Sequence, residues 1–125
     1  MKTTRLLMLA AGLCLAALAG RAATPPPGER SQAVRLLTAI ARNDYASFVA
    51  EGDAQFQQMP REQFAQNGAQ LAPRLNGGHE LGYLGDLKKE GYHVTLWKLT
   101  FTDGKDDALF VLSVQGAKVG GFNIE

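Results

Sequence analysis

One cysteine, Cys14, occurs in the whole chain, and it sits in an N-terminal apolar run. From residue 24 onward there is none. That stretch therefore has neither a disulfide framework nor a thiolate site, and its stability has to come from an ordinary core. Histidine is nearly as scarce, with only His79 and His93. No serine is flanked by glycines as a nucleophile elbow requires, which together with the missing cysteine argues against covalent catalysis. Lys and Arg form no stripe and are not interleaved with aromatic residues, so the electrostatic footprint of a nucleic-acid binder is absent. Acidic membrane surfaces are discounted as partners on the same ground. No internal repeat is visible.

What is present begins with Met1-Lys2-Thr3-Thr4-Arg5, basic and free of acids, followed by 14 apolar and small residues from Leu6 to Ala19. This is the order of a secretory signal. The run falls short of the about 20 helical residues that a bilayer demands, and the chain then turns polar at Arg21. A stable membrane anchor is therefore not expected. Small residues put the cut between Ala19 and Ala23, so residues 1–23 read as a signal peptide, with a periplasmic or secreted destination. Cys14 follows the bulky Leu13, which argues against lipidation. A cut after Ala23 removes Lys2, Arg5 and Arg21 from the 13 basic residues, leaving 10 against 12 acids and a net charge of minus two. The remaining length, about 100 residues, suffices for one domain and not for two.

Residues 24–30, with Pro25-Pro26-Pro27-Gly28, read as an extended linker, and the domain as residues 31–125. Ser31 is a candidate N-cap for a first helix ending near Arg42, with Val34, Leu37, Ile40 and Ala41 at helical spacing and Leu36 widening the stripe. Asp44 caps a second helix on which Tyr45, Phe48 and Val49 share a face. Met59-Pro60-Arg61-Glu62 opens a third carrying Phe64, Leu71 and Leu75; Pro73 frays its end and Asn76-Gly77-Gly78 stops it. Strands are expected at Leu81 to Leu87, Tyr92 to Phe101, Ala108 to Gln115 and Lys118 to Ile124, with turns at Glu90-Gly91, Asp103-Gly104 and Gly116. The fold class is α+β, three N-terminal helices packed on a curved antiparallel sheet of about four strands.

The phrase Ala33-Val34-Arg35-Leu36-Leu37 running into Asn43-Asp44-Tyr45, and the tail from Phe110 to Ile124 with Gly116-Ala117-Lys118-Val119-Gly120-Gly121-Phe122, resemble the nuclear-transport-factor-2-like superfamily. The resemblance covers nearly all of the chain beyond the signal. It implies a curved sheet wrapped around the first helix as a cone with a pocket at its open end. That scaffold hosts isomerases, dehydratases and hydrolases as well as non-catalytic binding and dimerisation modules, so it does not decide function.

Alternate residues of a strand share a face, so His93, Thr95, Trp97, Leu99 and Phe101 lie together. Two readings of His93 are open. In one, Trp97, Leu99 and Phe101 pack on the helices while His93 and Thr95 line the pocket mouth; in the other, a bulge beside Glu90-Gly91 turns His93 to solvent. In the first reading His93 is a proton-transfer group, since imidazole titrates near neutrality, and Asp86 or Tyr83 across the hairpin supports it. Tyr45, Phe48, Thr95 and Trp97 are the candidate ligand-binding residues, although core packing is the blander role for Tyr45. His79 and Glu80 match no defensible metal spacing, and Asp103, Asp106 and Asp107 lack the ligand pattern of a calcium loop; no metal or cofactor is implied.

Two functions follow. The first is a non-enzymatic exported domain that binds a small apolar ligand or another protein, with Tyr92, Val94 and Leu96 on the opposite strand face as a patch for homodimerisation. The second is a small lyase, isomerase or hydrolase using His93 with Asp86 or Tyr83. They are separated by whether His93 points into a pocket within reach of a second polar group.

Overall fold

The computed structural model describes residues 24–125; the segment read as an export signal lies outside the described residues. The first helix, α1, spans Pro27–Ala41. It begins before Ser31, inside the stretch read as linker. Proline is at home in a helix's first turn, where its fixed φ suits the helix and its missing N–H has no partner to lose. Glu29 adds a negative charge at the positive end of the helix dipole. Ser31 is thus an interior residue whose hydroxyl donates to the Pro27 carbonyl. The earlier start goes with a buried stripe through Glu29, Gln32, Ala33, Leu36, Leu37 and Ile40. Val34, expected on that stripe, is exposed.

The helix closes through a Schellman motif. Asn43 takes φ 53°, its N–H donates to the Ile40 carbonyl at 3.1 Å, and the Asp44 N–H donates to the Ala39 carbonyl at 2.8 Å. Asp44 then caps α2, Tyr45–Val49, by accepting from the Ser47 N–H at 3.1 Å. A 3-10 turn, Phe56–Gln58, follows, and at its start Asp53 accepts from the Phe56 N–H at 2.8 Å. Helix α3, Arg61–Asn76, runs through Pro73 rather than fraying there.

Strands β1 (His79–Lys89), β2 (Tyr92–Phe101), β3 (Ala108–Gln115) and β4 (Lys118–Ile124) form one antiparallel sheet in chain order. Two of its turns use consecutive left-handed residues, Glu90-Gly91 at φ 54° and 85° and Gly116-Ala117 at φ 55° and 67°. That is the turn twist that suits a tight hairpin. The fold class is α+β with a four-stranded antiparallel sheet. Its helical part is less even than three comparable helices, because α2 is a five-residue turn.

The expected bulge beside Glu90-Gly91 is absent; the irregularity lies further back in β1, between Tyr83 and Gly85. Tyr83 pairs with Trp97, Gly85 with Leu96 and Asp86 with Thr95. The extra residue, Leu84, shifts the alternation by one. Before it, Leu81 and Tyr83 share the face of Trp97 and Leu99; after it, Asp86 and Lys88 take over that face. A single buried cluster joins Trp97, Leu99, Phe110 and Leu112, none with exposed surface, to Leu36, Leu37, Ile40, Phe48 and Phe64 of the helices.

Two stability changes follow from this packing. Phe110→Ala should cost about 3–5 kcal/mol, because its site is closed on all sides. Gly68→Ala should stabilise by about 1 kcal/mol, since glycine is costly inside a helix and the new methyl would meet only the Ile40 side chain, at 3.5 Å. Urea denaturation of the purified variants measures both.

Candidate functional site

His93 is the second residue of β2 and faces the first turn of α1. Its Nδ1 lies 2.5 Å from Glu29 Oε1 and its Nε2 2.5 Å from Asp86 Oδ2. A carboxylate only accepts, so both ring nitrogens donate, and the ring that satisfies both is the imidazolium. Its pKa is raised above the ordinary imidazole value, first by the hydrogen bond to Asp86 and then by that to Glu29, against an opposing contribution from burial. Glu29 is buried, and its second oxygen has no partner among the described residues. Asp86 is half exposed, so its share of the attraction is screened.

The β1 bulge is what brings this group together. Without Leu84 as an extra residue, Asp86 would lie opposite Val94 on the far face. Tyr83 shares the inner face but has its ring against Trp97, with centroids 5.0 Å apart. Its hydroxyl pKa is raised by burial first, then by the charges of Asp86 and Glu29. Glu29 does not stand out in the sequence because its proline-rich segment also fits an extended linker. The signal was present: proline followed two residues later by an acid is a helix start.

His93 also lines a groove of about 710 Å³ with Pro26, Gln32, Arg35, Glu51 and Ala117. Here Gln32 donates to the Ala117 carbonyl at 2.9 Å, and Arg35 pairs with Glu51 at 2.5 Å. His93 therefore meets the geometric condition of facing a groove beside a second polar group. It does not offer a lone pair, because each nitrogen is engaged by an anion. As it stands the arrangement is a cation clamped between two carboxylates that ties α1 to the sheet.

Other expected site residues fall elsewhere. Thr95 does not line a mouth: it has no exposed surface, nor has Trp97, which packs on the helices as expected, and the indole N–H donates to the Thr95 hydroxyl at 2.8 Å inside the core, so neither is open to a ligand. Tyr45 donates its hydroxyl to the Met59 carbonyl at 2.5 Å and carries Arg61 over its ring, which makes it a brace for the start of α3. On the outer face Val94 is only 7% exposed, and the Tyr92 ring packs over Gly120. The large apolar side chains left exposed on the sheet are Leu84 (56%), at the β1 bulge, Leu87 (44%) and Leu109 (36%), with Leu96 half-buried. His79 hydrogen-bonds the Leu75 carbonyl at 3.0 Å, and Asp103 accepts from Arg74 at 2.7 Å, which gives both plain structural roles.

A second groove, of about 660 Å³, lies between α3 and β4. Phe48, the remaining ligand-binding candidate, is on its lining with Phe64, Leu71, Phe122 and Ile124, and its rim is Gln63, Gln66, Asn67 and Gln70. Its one charged lining residue, Arg74, is held by Asp103 and by the Asp106 carbonyl at 2.7 Å. No protein-family model matches the chain, and no curated protein matches it. No helix among the described residues is long and apolar enough to cross a membrane.

The clamp predicts a direction of pH dependence. A cation whose pKa is raised by folding contributes stability that is fully present below the unfolded value of 6.5 and is lost as the pH rises through the higher folded value. The urea midpoint should fall as pH is taken upward from about 6. His93→Gln should lower the midpoint at pH 6 and flatten the profile above it.

Proposed function

We propose that this chain is an exported, non-enzymatic binding domain whose groove between α3 and β4 receives an apolar group of its ligand. The scaffold is a helix-and-sheet cone of the nuclear-transport-factor-2-like kind. The N-terminal segment supports export: a basic start, a short apolar run and small residues before a polar stretch. The three helices preceding a four-stranded meander, the core shared between them and the bulges in β1 and at Ser113/Val114 are consistent with a curved sheet covered by helices.

The observation that carries the binding reading is the make-up of the groove. An aromatic and aliphatic lining under a rim of side-chain amides suits a largely apolar, uncharged group oriented by a few hydrogen bonds. Acid–base catalysis by His93 with Asp86 or Tyr83 is the competing reading. It requires the ring first to lose a proton that two carboxylates hold in place.

The neutral fluorophore N-phenyl-1-naphthylamine tests the binding reading. Its emission should rise on adding the protein. Leu71→Glu should weaken binding about tenfold or more, the scale of placing a charge in an apolar contact, while His93→Gln leaves it unchanged. An emission that does not rise, or that rises equally with the Leu71 variant, would sink the proposal. Native mass spectrometry of the same samples reads self-association through Leu87, Leu96 and Leu109; a dimer that does not bind the fluorophore would move the function to the outer sheet face.

A further inference from the structure

We infer that the occupant of the α3–β4 groove is an extended, uncharged peptide segment of a partner protein, added as a fifth strand along β4. This rests on the binding reading above and names the partner. The first support is the backbone of β4. Leu109 and Glu125 exchange both of their backbone hydrogen bonds at 2.9 Å. Antiparallel pairs alternate, so the next pair, Phe110 with Ile124, is not hydrogen-bonded; Val111 with Asn123 is, and Leu112 with Phe122 again is not. The N–H and C=O groups of Phe122 and Ile124 therefore point away from β3, toward the open edge. No hydrogen bond among the described residues uses them. Both residues line the groove.

The second support is the facing wall. Gln63, Gln66, Asn67 and Gln70 recur at helical spacing, so they form one stripe along α3. None of the four has a side-chain hydrogen bond among the described residues, and no charged residue lies between Glu62 and Arg74. A primary amide both donates and accepts, as a peptide group does. An extended chain in this slot would meet backbone groups on one side and amides on the other, with alternate side chains over Phe48 and Phe122. The stripe from Gln63 to Arg74 is roughly 16 Å long at the helical rise, the length of about five extended residues.

The third support is the contrast between edges. Strand β1, the other edge, carries a bulge and two lysines, Lys88 and Lys89, features that deter strand addition; β4 has its own bulge at Gly120 and Lys118, but both precede its groove-side half, Phe122 to Ile124. The start of β4 already accepts a strand-like neighbour. Gly52 pairs with Val119 in parallel, through Asp53 N–H to the Val119 carbonyl at 2.8 Å and Val119 N–H to the Glu51 carbonyl at 2.9 Å. That neighbour stops short of Phe122, leaving the groove-side half of β4 unpaired. A second copy fits this edge less well. Antiparallel pairing of β4 with its own copy about a two-fold axis normal to the sheet would bring both α3 helices to one side, into the same space. A single extended chain brings no such wall.

The test uses an acetylated and amidated seven-residue peptide alternating threonine with valine, at up to millimolar concentration, with amide hydrogen exchange followed by NMR. The peptide should slow exchange of the Phe122 and Ile124 amides at least tenfold, leave Gly121 and Asn123, already paired to β3, unchanged, and displace the naphthylamine. Gln66→Ala with Gln70→Ala should weaken the peptide at least fivefold. Fluorophore binding without peptide-dependent protection of Phe122 and Ile124 overturns the strand-addition inference and leaves the apolar groove standing. Failure of the fluorophore as well removes the groove reading itself. Concentration-dependent protection of the same two amides without peptide assigns the edge to a second copy instead.

Discussion

The inner face of β2 admits one register. Trp97 and Leu99 have no exposed surface, and the Trp97 N–H has found the Thr95 hydroxyl within the same closed space. A slip of one residue would turn this face to solvent and bury Lys98 and Thr100 in its place. Burial of that alternation is the constraint on which the other strands depend. Strand β3 matches it residue for residue, with Phe110, Leu112 and Val114 opposite Trp97, Thr95 and His93. Strand β1 departs from it after Tyr83: an unbroken alternation would carry Leu87 inward and Asp86 and Lys88 outward, whereas the observed register leaves Leu84 and Leu87 exposed. With the bulge at Leu84, Tyr83 stays against Trp97, and the following acid and lysine come to the inner face near the sheet's end, where Asp86 reaches His93.

The His93 clamp is a consequence of that adjustment. It joins three elements distant in sequence: α1 through Glu29, β1 through Asp86, and β2 through the ring itself. Its two halves differ in environment. The Asp86 side is open and screened, while the Glu29 side is buried and leaves one carboxylate oxygen without a protein partner. Burying a charge is costly unless it is paired, so removal of the histidine would expose the full cost at Glu29. The same feature separates a clamp from a catalytic base. Holding the imidazolium between two anions stabilises the protonated ring and takes away the lone pair that proton abstraction would use.

Much of the sheet was legible in the sequence because its strands carry their own punctuation. Strands β2, β3 and β4 have β-branched and aromatic runs bounded by glycine, and their limits are those expected from the pattern. Asp44 likewise announces α2. What escaped reading depends on non-local choices. Pro27 is compatible with either a solvated linker or a helix start, and the balance is tipped by a core waiting for Ala33 and by a histidine sixty-four residues away from Glu29. The Leu84 bulge has no strong local signature beyond the neighbouring Gly85, which takes φ 148°. Missing that bulge leaves the partner of His93 undetermined, since it decides which of Asp86 and its neighbours shares the face. The alternation puts Thr95 on the correct face but not at the correct depth, because it reports direction and not how much chain lies overhead; Trp97 packs in the core as expected.

The composition of α3 poses a different question. A surface helix ordinarily carries charge on its solvent side, yet the stretch between Glu62 and Arg74 is occupied by amides, alanines, glycine, proline and apolar residues. Packing does not require this, since Gln63, Gln66, Asn67 and Gln70 are exposed. Nor does helix propensity: Gly68 and Pro73 are poor helix formers, and the Ile40 side chain leaves room for a methyl at position 68. Charged side chains on this stripe would have to keep their hydration beside the aromatic lining of the groove, at a desolvation cost to anything that entered. Amides keep the wall polar at a smaller cost, and the glycine keeps it low. The helix thus gives up intrinsic stability along the face that borders the unpaired half of β4, an edge segment that lies beyond both the Gly120 bulge and Lys118.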